Sequence, residues 1–578
     1  MHRLRRWEEA GYAALAAALS SLAGYLVLRP WRGSLHVPYL YVGDANFYHS
    51  VLKGVLENGW FWHNPSLGAP NEQQLFDFPN VSGDPINVLG WKFLGLFTSD
   101  SAVVLNLFFL LTFPAVGLTS YLVLRRLGLS RAASIACSVL FTVLPYHFTR
   151  GEDHLLLSAY FAVPLGAYLV LCVLGERPLF ASRRMTLGTV GLCAVIAFAS
   201  GGYYYSAFTI VLVASAAVLR AVGLRGWRPL RDAGAVAGTI LVLSLLTLVP
   251  SFVYWAEHGR NDVVANRGNF ESELYGLKFA QLVLPIEQHR IGELAHLRQN
   301  YDEKFPLTEA AANTALGTVA ALGLLGLLLV CFVQLATPGR RFAGDLAGRA
   351  GVAALLAVMF AWTGGLSTFV AAIEPQIRAW NRLSIFIGFF ALVAVGLGID
   401  WALRWLRGRW RAGAGVGLAV LALVVVLGGL DQTSRTYEPA YAAVAASYRS
   451  DGDFVRGIEA QVPRGSMIFQ LPHRPFPEAP PLGAMVDYDL FRGYLHSDDL
   501  RWSYGIVKGR GDDWSANVSR EPVPQMVRDV KAAGFAGIYL DRFGYQDGGA
   551  SIDPELIAAT GSTPLKSPDQ RLFFYRLH

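Results

Sequence analysis

Two short segments hold the acidic and imidazole groups of this sequence that could do chemistry, and Asp44 is the first of these groups. It lies within residues 41–49. A carboxylate acts as a general base on a hydroxyl group when partial burial raises its pKa toward neutrality. The structural alternative is an aspartate that caps a helix continuing to Leu56, because aspartate is a favoured N-cap. The sequence leaves both interpretations open.

The second segment, residues 145–154, ends with Glu152, Asp153 and His154 in succession. Carboxylate oxygens and an imidazole nitrogen could bind a substrate or hold a divalent cation such as Mg²⁺ or Mn²⁺. Acidic residues here would also favour the N-terminus of the helix that follows. No fixed ligand spacing supports a metal site. We therefore expect no required cofactor, with Glu152 and Asp153 as the ligands of a divalent cation if one binds.

Four cationic residues lie where a phosphate group could meet them. His289 and Arg290 belong to a polar stretch at residues 255–312, beside a short apolar run suited to a membrane interface. Arg378 and Arg382 stand at the start of a long apolar run. Arginine binds phosphate oxygens through paired hydrogen bonds, so these residues are candidates for binding an anionic substrate. Surface ion pairs and interfacial anchoring are the structural alternatives.

Three consecutive tyrosines, Tyr203 to Tyr205, follow a pair of glycines. Their rings could form one face on which a sugar stacks, and Tyr204 is our candidate for that contact. An aromatic belt at the membrane boundary would have the same composition.

The composition determines which elements carry these residues. Of 578 residues, 53% are hydrophobic and only 16% are charged, which is too apolar for an ordinary soluble enzyme. The formal charge of +6 comes from arginines between apolar runs, so it indicates membrane topology and no nucleic-acid partner. All four cysteines fall in or beside apolar runs without metal-binding spacing, so we expect neither disulfides nor a zinc site.

Eleven apolar runs are about 18 to 25 residues long, enough to cross a hydrocarbon core of roughly 30 Å at 1.5 Å per residue. They lie at approximately 10–29, 101–124, 132–148, 154–174, 186–203, 203–222, 233–254, 313–335, 349–373, 381–403 and 412–430. The sequence therefore predicts an α-helical polytopic membrane protein.

Arginine-rich loops predict the orientation, because Lys and Arg of short loops stay on the cytoplasmic side. Every second connection carries at least three arginines. They are Arg3, Arg5 and Arg6; Arg125, Arg126 and Arg131; Arg177, Arg183 and Arg184; Arg220, Arg225, Arg228 and Arg231; Arg340, Arg341 and Arg349; and Arg404, Arg407, Arg409 and Arg411. We expect a cytoplasmic N-terminus and an uncleaved first span.

The long polar regions then lie outside. A transmembrane domain at residues 1–430 would carry outer loops at 30–100 and 255–312, and residues 431–578 would form an extracytoplasmic domain. Strand-like runs at 466–471, 537–540 and 571–575 alternate with helical stretches at 441–462 and 524–533. That alternation predicts an α/β fold for the C-terminal domain.

Four features of the chain together resemble the GT-C class. They are the acid in the first outer loop, the short basic inside loops, the acids in the second outer loop and the terminal outer domain. Members of this class are multi-spanning glycosyltransferases that use polyprenyl-phosphate sugars. The residues that carry the resemblance are 43–44, 64–70, 77–79 and 202–205, and they look most like the bacterial members. The resemblance covers about residues 1–430.

The resemblance implies a catalytic base at Asp44 and second-loop acids at Glu152 and Asp153, which bind metal in one branch of the class. It implies inverting sugar transfer from a polyprenyl-phosphate donor to an extracytoplasmic glycan or lipid acceptor, at the plasma membrane of a bacterium. The arginines at 378 and 382, with His289 and Arg290, would neutralise the departing phosphate. Several members have adjacent acids in the first loop, whereas this chain has Asp44 alone.

Two other functions stay open at this point. A transporter or lipid flippase would need polar groups near the middle of the membrane, and few charges lie at the span centres. A non-enzymatic subunit of a cell-envelope glycan assembly system would act through its C-terminal domain. The sequence has no Gly-rich phosphate loop, GxSxG elbow or HExxH motif, which argues against an ATPase, a serine hydrolase and a zinc peptidase.

Overall fold

A computed structural model describes residues 2–175, 177–224, 226–264, 266–305, 314–337, 346–409 and 413–577. Four arginines of the predicted inside loops, Arg225, Arg340, Arg341 and Arg411, lie outside the described residues. The predicted span starts at 313 and 412 lie outside them as well.

Helices form most of the chain up to residue 432. Those of the first half are His2–Leu28 (α1), Asp44–Asn58 (α2), Pro85–Gly95 (α3), Ser101–Leu127 (α4), Arg131–Thr142 (α5), Pro145–Arg150 (α6), Leu155–Ser158 (α7), Val163–Leu174 (α8), Arg183–Phe198 (α9), Tyr204–Leu224 (α10), Arg228–Thr247 (α11) and Val249–His258 (α12). Those that follow are Glu271–Leu274 (α13), Phe279–Val283 (α14), Gly292–Lys304 (α15), Thr318–Ala336 (α16), Leu346–Ala361 (α17), Leu366–Ala371 (α18), Ser384–Arg409 (α19) and Gly413–Gln432 (α20). A short hairpin, His63–Asn64 (β1) with Gln73–Gln74 (β2), lies in residues 30–100, the segment predicted as the first outer loop and called by that name below.

Within the described part of the chain, nine helical segments are long and apolar enough to cross a membrane. They are Trp7–Leu28, Ser101–Leu127, Arg131–Arg150, Leu155–Leu174, Tyr204–Gly223, Arg228–Thr247, Thr318–Ala336, Trp380–Arg409 and Gly415–Gln432. The other two predicted spans contain α9 and α17, each of 16 residues. The predicted polytopic helical fold is confirmed.

The predicted span at 349–373 is not one helix. Helix α17 ends at Ala361, and α18 begins only at Leu366. Gly364 between them has a φ of +70°, a conformation that ends a right-handed helix and that glycine adopts without steric cost. An apolar run measured by hydropathy alone does not register this break.

The C-terminal region contains the predicted α/β fold. Its elements are Tyr441–Glu459 (α21), Met467–Leu471 (β3), Phe491–His496 (α22), Arg501–Trp502 (β4), Trp514–Val518 (α23), Val523–Ala532 (α24), Phe535–Asp541 (β5), Ile552–Thr560 (α25), Leu565–Lys566 (β6) and Leu572–Arg576 (β7). The sheet order is β4-β3-β5-β7-β6, with β3 parallel to β4 and β5, and β7 antiparallel to β5 and β6. All seven residues of β5 are buried, as expected for a strand covered on both faces.

The two faces of this sheet have different partners. On one face, Ile538 and Leu540 pack with residues of α24 such as Val527. On the other, Tyr539 belongs to a core shared with α21 and with first-loop residues such as Phe47. The first outer loop also continues the sheet beyond β4, since the N–H of Ala69 donates to the carbonyl of Trp502 at 3.0 Å. The first outer loop and the C-terminal region therefore share one hydrophobic core.

A buried network of charges joins α21, α22 and the sheet. Arg492 donates to Asp451 and to Asp489, both at 3.1 Å. Arg571 donates to Asp489 at 2.9 Å and to Asp541 at 2.6 Å. All five side chains are buried, so each charge depends on its partners to offset the loss of hydration.

Replacing Arg492 with Met should destabilise the protein by about 3–5 kcal/mol, because Asp451 then loses its buried cationic partner. Thermal and chemical unfolding of the purified protein in detergent would measure the change. Arg464→Met is the matched control, since that side chain is 92% exposed in its pair with Asp499. Equal stability of the two variants would contradict the assigned role of the network.

Candidate functional site

The loop at residues 39–44 is held from two sides. The N–H of Leu40 donates to Glu152 at 2.9 Å. Arg492 donates to the carbonyl of Tyr41 at 2.7 Å, and the Tyr41 hydroxyl donates to Asp451 at 2.8 Å. The second outer loop and the C-terminal region thus fix the chain immediately before Asp44.

Helix α2 begins at Asp44 itself. Its N-cap residue is Gly43, with a φ of +59°, and no side-chain cap bond forms there. A Cβ atom at position 43 would stand 3.4 Å from an oxygen of Asp153, so glycine suits both the conformation and the close approach. The interpretation of Asp44 as an N-cap is therefore wrong, and its carboxylate faces other groups.

Three predicted residues come together in a row. His154 Nδ1 lies 3.1 Å from Asp153 Oδ2, and His154 Nε2 lies 3.6 Å from Asp44 Oδ2. When the Nδ1 proton is donated to Asp153, Nε2 becomes an acceptor facing Asp44. The imidazole therefore connects two carboxylates, one from each outer loop.

The environment raises the pKa of Asp44 from 3.8 to about 7. Burial is the largest cause, and the negative charges of Asp153, Asp487 and Glu478 act in the same direction, while Arg382 opposes them. The side chain is 42% exposed and lines a cavity described below. Burial lowers the pKa of His154, so this imidazole is neutral at neutral pH. A carboxyl that titrates near pH 7 can accept a proton and release it again.

Asp44 lines a polar cavity of about 430 Å³. The first outer loop supplies Asp44 and Asn80, and the 255–312 stretch supplies Arg267. Arg378 and the C-terminal region complete the wall; the C-terminal residues include Glu478, Asp487 and Lys508. The cavity therefore forms only where segments distant in the sequence meet.

Both arginines that line this cavity have carboxylate partners. Arg378 donates to Glu271 at 2.7 Å, and Arg267 donates to Glu478 at 2.5 Å. Burial raises the pKa of Asp487 to about 6, although backbone N–H groups oppose the shift. The cavity is thus lined by alternating charges, which suits a ligand rich in hydroxyl groups.

Two residues of the wall have unusual backbone conformations. Glu478 has a φ of +58° and Tyr488 a φ of +64°, and neither is glycine. Such conformations cost of order 1–3 kcal/mol each and concentrate at functional sites. Here the surrounding C-terminal structure holds both residues against the cavity.

Tyr204 lies beneath Arg382, with the guanidinium carbon 4.1 Å from the ring centre. The rings of Tyr203 and Tyr205 do not share that face. The Tyr203 hydroxyl lies 2.7 Å from that of Ser82, whereas Tyr205 is fully buried. The predicted common face of three tyrosines is therefore wrong, because the turn sends each ring to a different partner.

Glu152 does not line the cavity that contains Asp44. Burial raises its pKa to about 8, against the N–H groups of Leu40 and Tyr39. The carboxyl is therefore largely protonated at neutral pH, and its observed contact is to the backbone of the 39–44 loop. Among the residues that the structure describes, no three His, Cys, Asp or Glu side chains form a group that could hold a metal ion. A cation at Glu152 and Asp153 stays a prediction.

His289 and Arg290 lie apart from Asp44, beside the end of α20. His289 Nε2 is 3.2 Å from Asp431, and Arg290 donates to the carbonyl of Leu430 at 3.3 Å. Neither residue lines the Asp44 cavity. Their predicted contact with a substrate stays a prediction.

The structure adds residues that the sequence did not single out. Arg267, Glu478, Asp487 and Lys508 line the cavity, and Arg150 acts electrostatically on His154. Arg378 was a candidate because it stands at the start of a long apolar run. Arg150 stands just beyond the end of another such run, so the same signal could also have indicated it. The four cavity residues lie in ordinary polar segments, so only the folded chain identifies them.

Three solved structures resemble this one. The oligosaccharyltransferase of Archaeoglobus fulgidus in its apo form aligns with a TM-score of 0.51 at 13% identity, over 96% of this chain and 72% of that chain. The AglB oligosaccharyltransferase from Archaeoglobus fulgidus was solved in complex with an inhibitory peptide and a dolichol-phosphate. It aligns with a TM-score of 0.46 at 12% identity, over 99% of this chain and 74% of that chain. The arabinofuranosyltransferase AftD from Mycobacteria aligns with a TM-score of 0.48 at 13% identity, over 99% of this chain and 40% of that chain. No protein-family profile and no curated protein match the sequence.

The apo oligosaccharyltransferase likeness and the nine candidate spans define the fold. The chain is a multi-pass membrane protein with the fold of the GT-C class, as the sequence predicted.

Asp44→Asn should stabilise the protein at pH 8 and have little effect at pH 4. The pKa of Asp44 is higher in the folded state than in the unfolded state, so the free energy of unfolding falls as the pH rises from about 4 to about 7. Asparagine does not titrate, so the variant keeps the stability that the wild type loses. Thermal unfolding at both pH values would measure the difference. Asp262→Asn, at an 89% exposed side chain, is the control. A gain of the same size at both pH values would refute the buried environment of Asp44.

Proposed function

We propose that the protein transfers a sugar from a polyprenyl-phosphate donor to a hydroxyl group of an extracytoplasmic glycan or lipid, with inversion at the anomeric carbon. The observation that carries this proposal is the Asp44 carboxyl, which lines a polar cavity beside His154 and whose pKa the surroundings raise to about 7. The GT-C fold supports it, since the class consists of membrane glycosyltransferases.

The reaction is a single displacement. The acceptor hydroxyl oxygen forms a bond to the anomeric carbon and gives its proton to Asp44. The bond from that carbon to the phosphate oxygen breaks, and its electron pair leaves with the polyprenyl phosphate. Attack from the face opposite the leaving group inverts the anomeric centre.

Neighbouring groups assist both ends of this displacement. His154 and Asp153 stand behind Asp44, and the unprotonated Nε2 of His154 faces the carboxyl that takes up the acceptor proton. Positive charge near the leaving phosphate stabilises the transition state, because negative charge develops there. Of the four cations predicted for this role, Arg382 acts directly on Asp44 and Arg378 lines the same cavity, which favours these two over His289 and Arg290.

The proposed topology places this chemistry outside a bacterial plasma membrane. The arginine-rich loops would be cytoplasmic, together with the N-terminus, and residues 431–578 would be an extracytoplasmic α/β domain on a transmembrane domain of residues 1–430. That domain contributes the Glu478, Asp487 and Lys508 wall, where an acceptor with several hydroxyl groups would bind.

Asp44→Asn should reduce sugar transfer at least about a hundredfold, near the low end for loss of a general base. Membranes containing each variant would be supplied with radiolabelled polyprenyl-phosphate sugars, and the label followed into glycan or lipid. Asp262→Asn should transfer like the wild type. If the wild type moves label from none of the donors, the proposal fails, and a transporter or a non-enzymatic subunit is favoured.

Transfer should rise with pH through an apparent pKa near 7, because Asp44 acts as a base only when it is ionised. Glu478→Gln should move this limb to lower pH by roughly half a unit, since it removes a negative charge that raises the pKa of Asp44. Measuring kcat/KM from pH 5 to pH 9 provides the test. The exposed Glu555→Gln serves as control, and a limb unmoved or shifted upward in Glu478→Gln would contradict the assignment.

A further inference from the structure

A cavity of about 610 Å³, called the basic cavity below, lies between α4, α8 and α9 at the end of the bundle that carries the arginine-rich loops. Helix α4 shows how far this is from Asp44. Ser101 at the start of α4 lies 2.9 Å from His49 of α2, the helix that begins at Asp44. Arg126 lines the basic cavity near the other end of α4, whose 27 residues are roughly 40 Å long. The hydrocarbon core is roughly 30 Å thick, so the basic cavity lies at the opposite membrane interface.

Hydrogen bonds hold the connection between α8 and α9 that forms part of its wall. Arg177 donates to the carbonyl of Arg126 at 3.4 Å. Thr189 Oγ1 donates to the carbonyl of Leu179 at 2.9 Å. These contacts fasten the connection to α4 on one side and to α9 on the other, and the cavity lies between them.

The described residues that line the basic cavity include two arginines and no carboxylate. Arg126 comes from α4 and Arg184 from the first turn of α9. Neither forms an ion pair with a carboxylate of the described part of the chain. By contrast, Arg125 and Arg131 both pair with Glu9, at 2.7 Å and 3.2 Å. The charge of the cavity wall is therefore not balanced as it is at the neighbouring arginines.

Further positive charge stands nearby. Arg126, Arg177 and Arg349 all act electrostatically on Cys172, near the end of α8. The topology rule explains why arginines gather on one side of the membrane. It does not require them to line a cavity or to lack acidic partners. An anionic ligand meets both features of this site.

The wall that α9 contributes becomes apolar beyond Arg184. It continues along Met185, Gly188 and Leu192, about 12 Å along the helix at 1.5 Å per residue. One leaflet contributes roughly 15 Å of hydrocarbon, half of the membrane core. Gly188 leaves this wall open, since a Cβ atom there would have no neighbour within 4 Å. A ligand that fits has an anionic head at the interface and a hydrocarbon chain that enters one leaflet.

We propose that Arg126 and Arg184 bind the phosphate of an anionic glycerophospholipid, with one acyl chain along Met185, Gly188 and Leu192. Basic pockets between transmembrane helices suit anionic headgroups, and arginine binds phosphate oxygens through paired donors. Free inorganic phosphate shares the headgroup chemistry, but only a lipid also uses the apolar wall. The site is a membrane thickness away from Asp44 and goes beyond the proposed function, on which it does not depend.

Binding of dioleoyl phosphatidylglycerol to the full-length protein in detergent, measured by native mass spectrometry, tests the arginines. The wild type should bind it at least about tenfold more tightly than dioleoyl phosphatidylcholine, whose head has no net charge. Arg126→Gln and Arg184→Gln should each weaken phosphatidylglycerol about fivefold. Arg183→Gln is the matched control. It removes the same charge from an adjacent exposed residue that does not line the cavity, and it should bind like the wild type.

Two glycine variants test the apolar wall without changing any charge. Gly188→Leu should weaken phosphatidylglycerol at least about tenfold, because the new side chain occupies the place of the acyl chain. Gly191→Leu should bind like the wild type. It replaces another glycine of α9 at which a Cβ atom has no neighbour within 4 Å, but it does not line the cavity. This pair decides the question if the arginine variants do not fold.

Three results would overturn the proposal. The first is equal affinity of the wild type for phosphatidylglycerol and phosphatidylcholine. The second is an equal loss in Arg183→Gln and Arg184→Gln, since charge would then act over the whole surface. The third comes from inorganic phosphate as competitor: if it displaces phosphatidylglycerol and Gly188→Leu binds like the wild type, the ligand is free phosphate and the lipid assignment is wrong.

Discussion

The backbone of residues 39–44 is held between two buried side chains, the carboxyl of Glu152 and the guanidinium of Arg492, and the rest of the candidate site depends on this arrangement. Glu152 accepts the N–H of Leu40 from 112 residues away, and Arg492 donates to the carbonyl of Tyr41 from 451 residues away. A backbone group bonded on each side can neither slide nor rotate without leaving a buried polar atom unpaired. Asp44 ends this segment, so these two hydrogen bonds also fix its position relative to His154.

The C-terminal region is consequently part of the site. It shares a hydrophobic core with the first outer loop, and it places Glu478 and Asp487 where their charges raise the pKa of Asp44. The same region contains the left-handed backbone at Glu478 and Tyr488. Strain and like-charge repulsion persist there because the network of Arg492 and Arg571 and the core beneath it stabilise the fold elsewhere.

The membrane fold and the C-terminal elements could be predicted from sequence because their signals are local. A span needs an uninterrupted apolar run, and a strand or helix shows its period within a few residues. The predictions of helix near Tyr441 and strand near Gly537 match α21 and β5. The break at Gly364 was not predicted, because hydropathy is averaged over a window and one glycine does not lower that average enough to mark the end of a helix.

For the site, the sequence by itself determined which groups can do chemistry. Asp44, Asp153 and His154 stand out because carboxyl and imidazole groups exchange protons and these three lie beside long apolar runs. Only the tertiary structure decided which charges are paired. Arg378 and Arg150 look alike as isolated cations in outer segments, yet one meets Glu271 across 107 residues and the other meets no carboxylate among the described residues at ion-pair distance. Pairing depends on contacts between distant segments, and no local spacing encodes them.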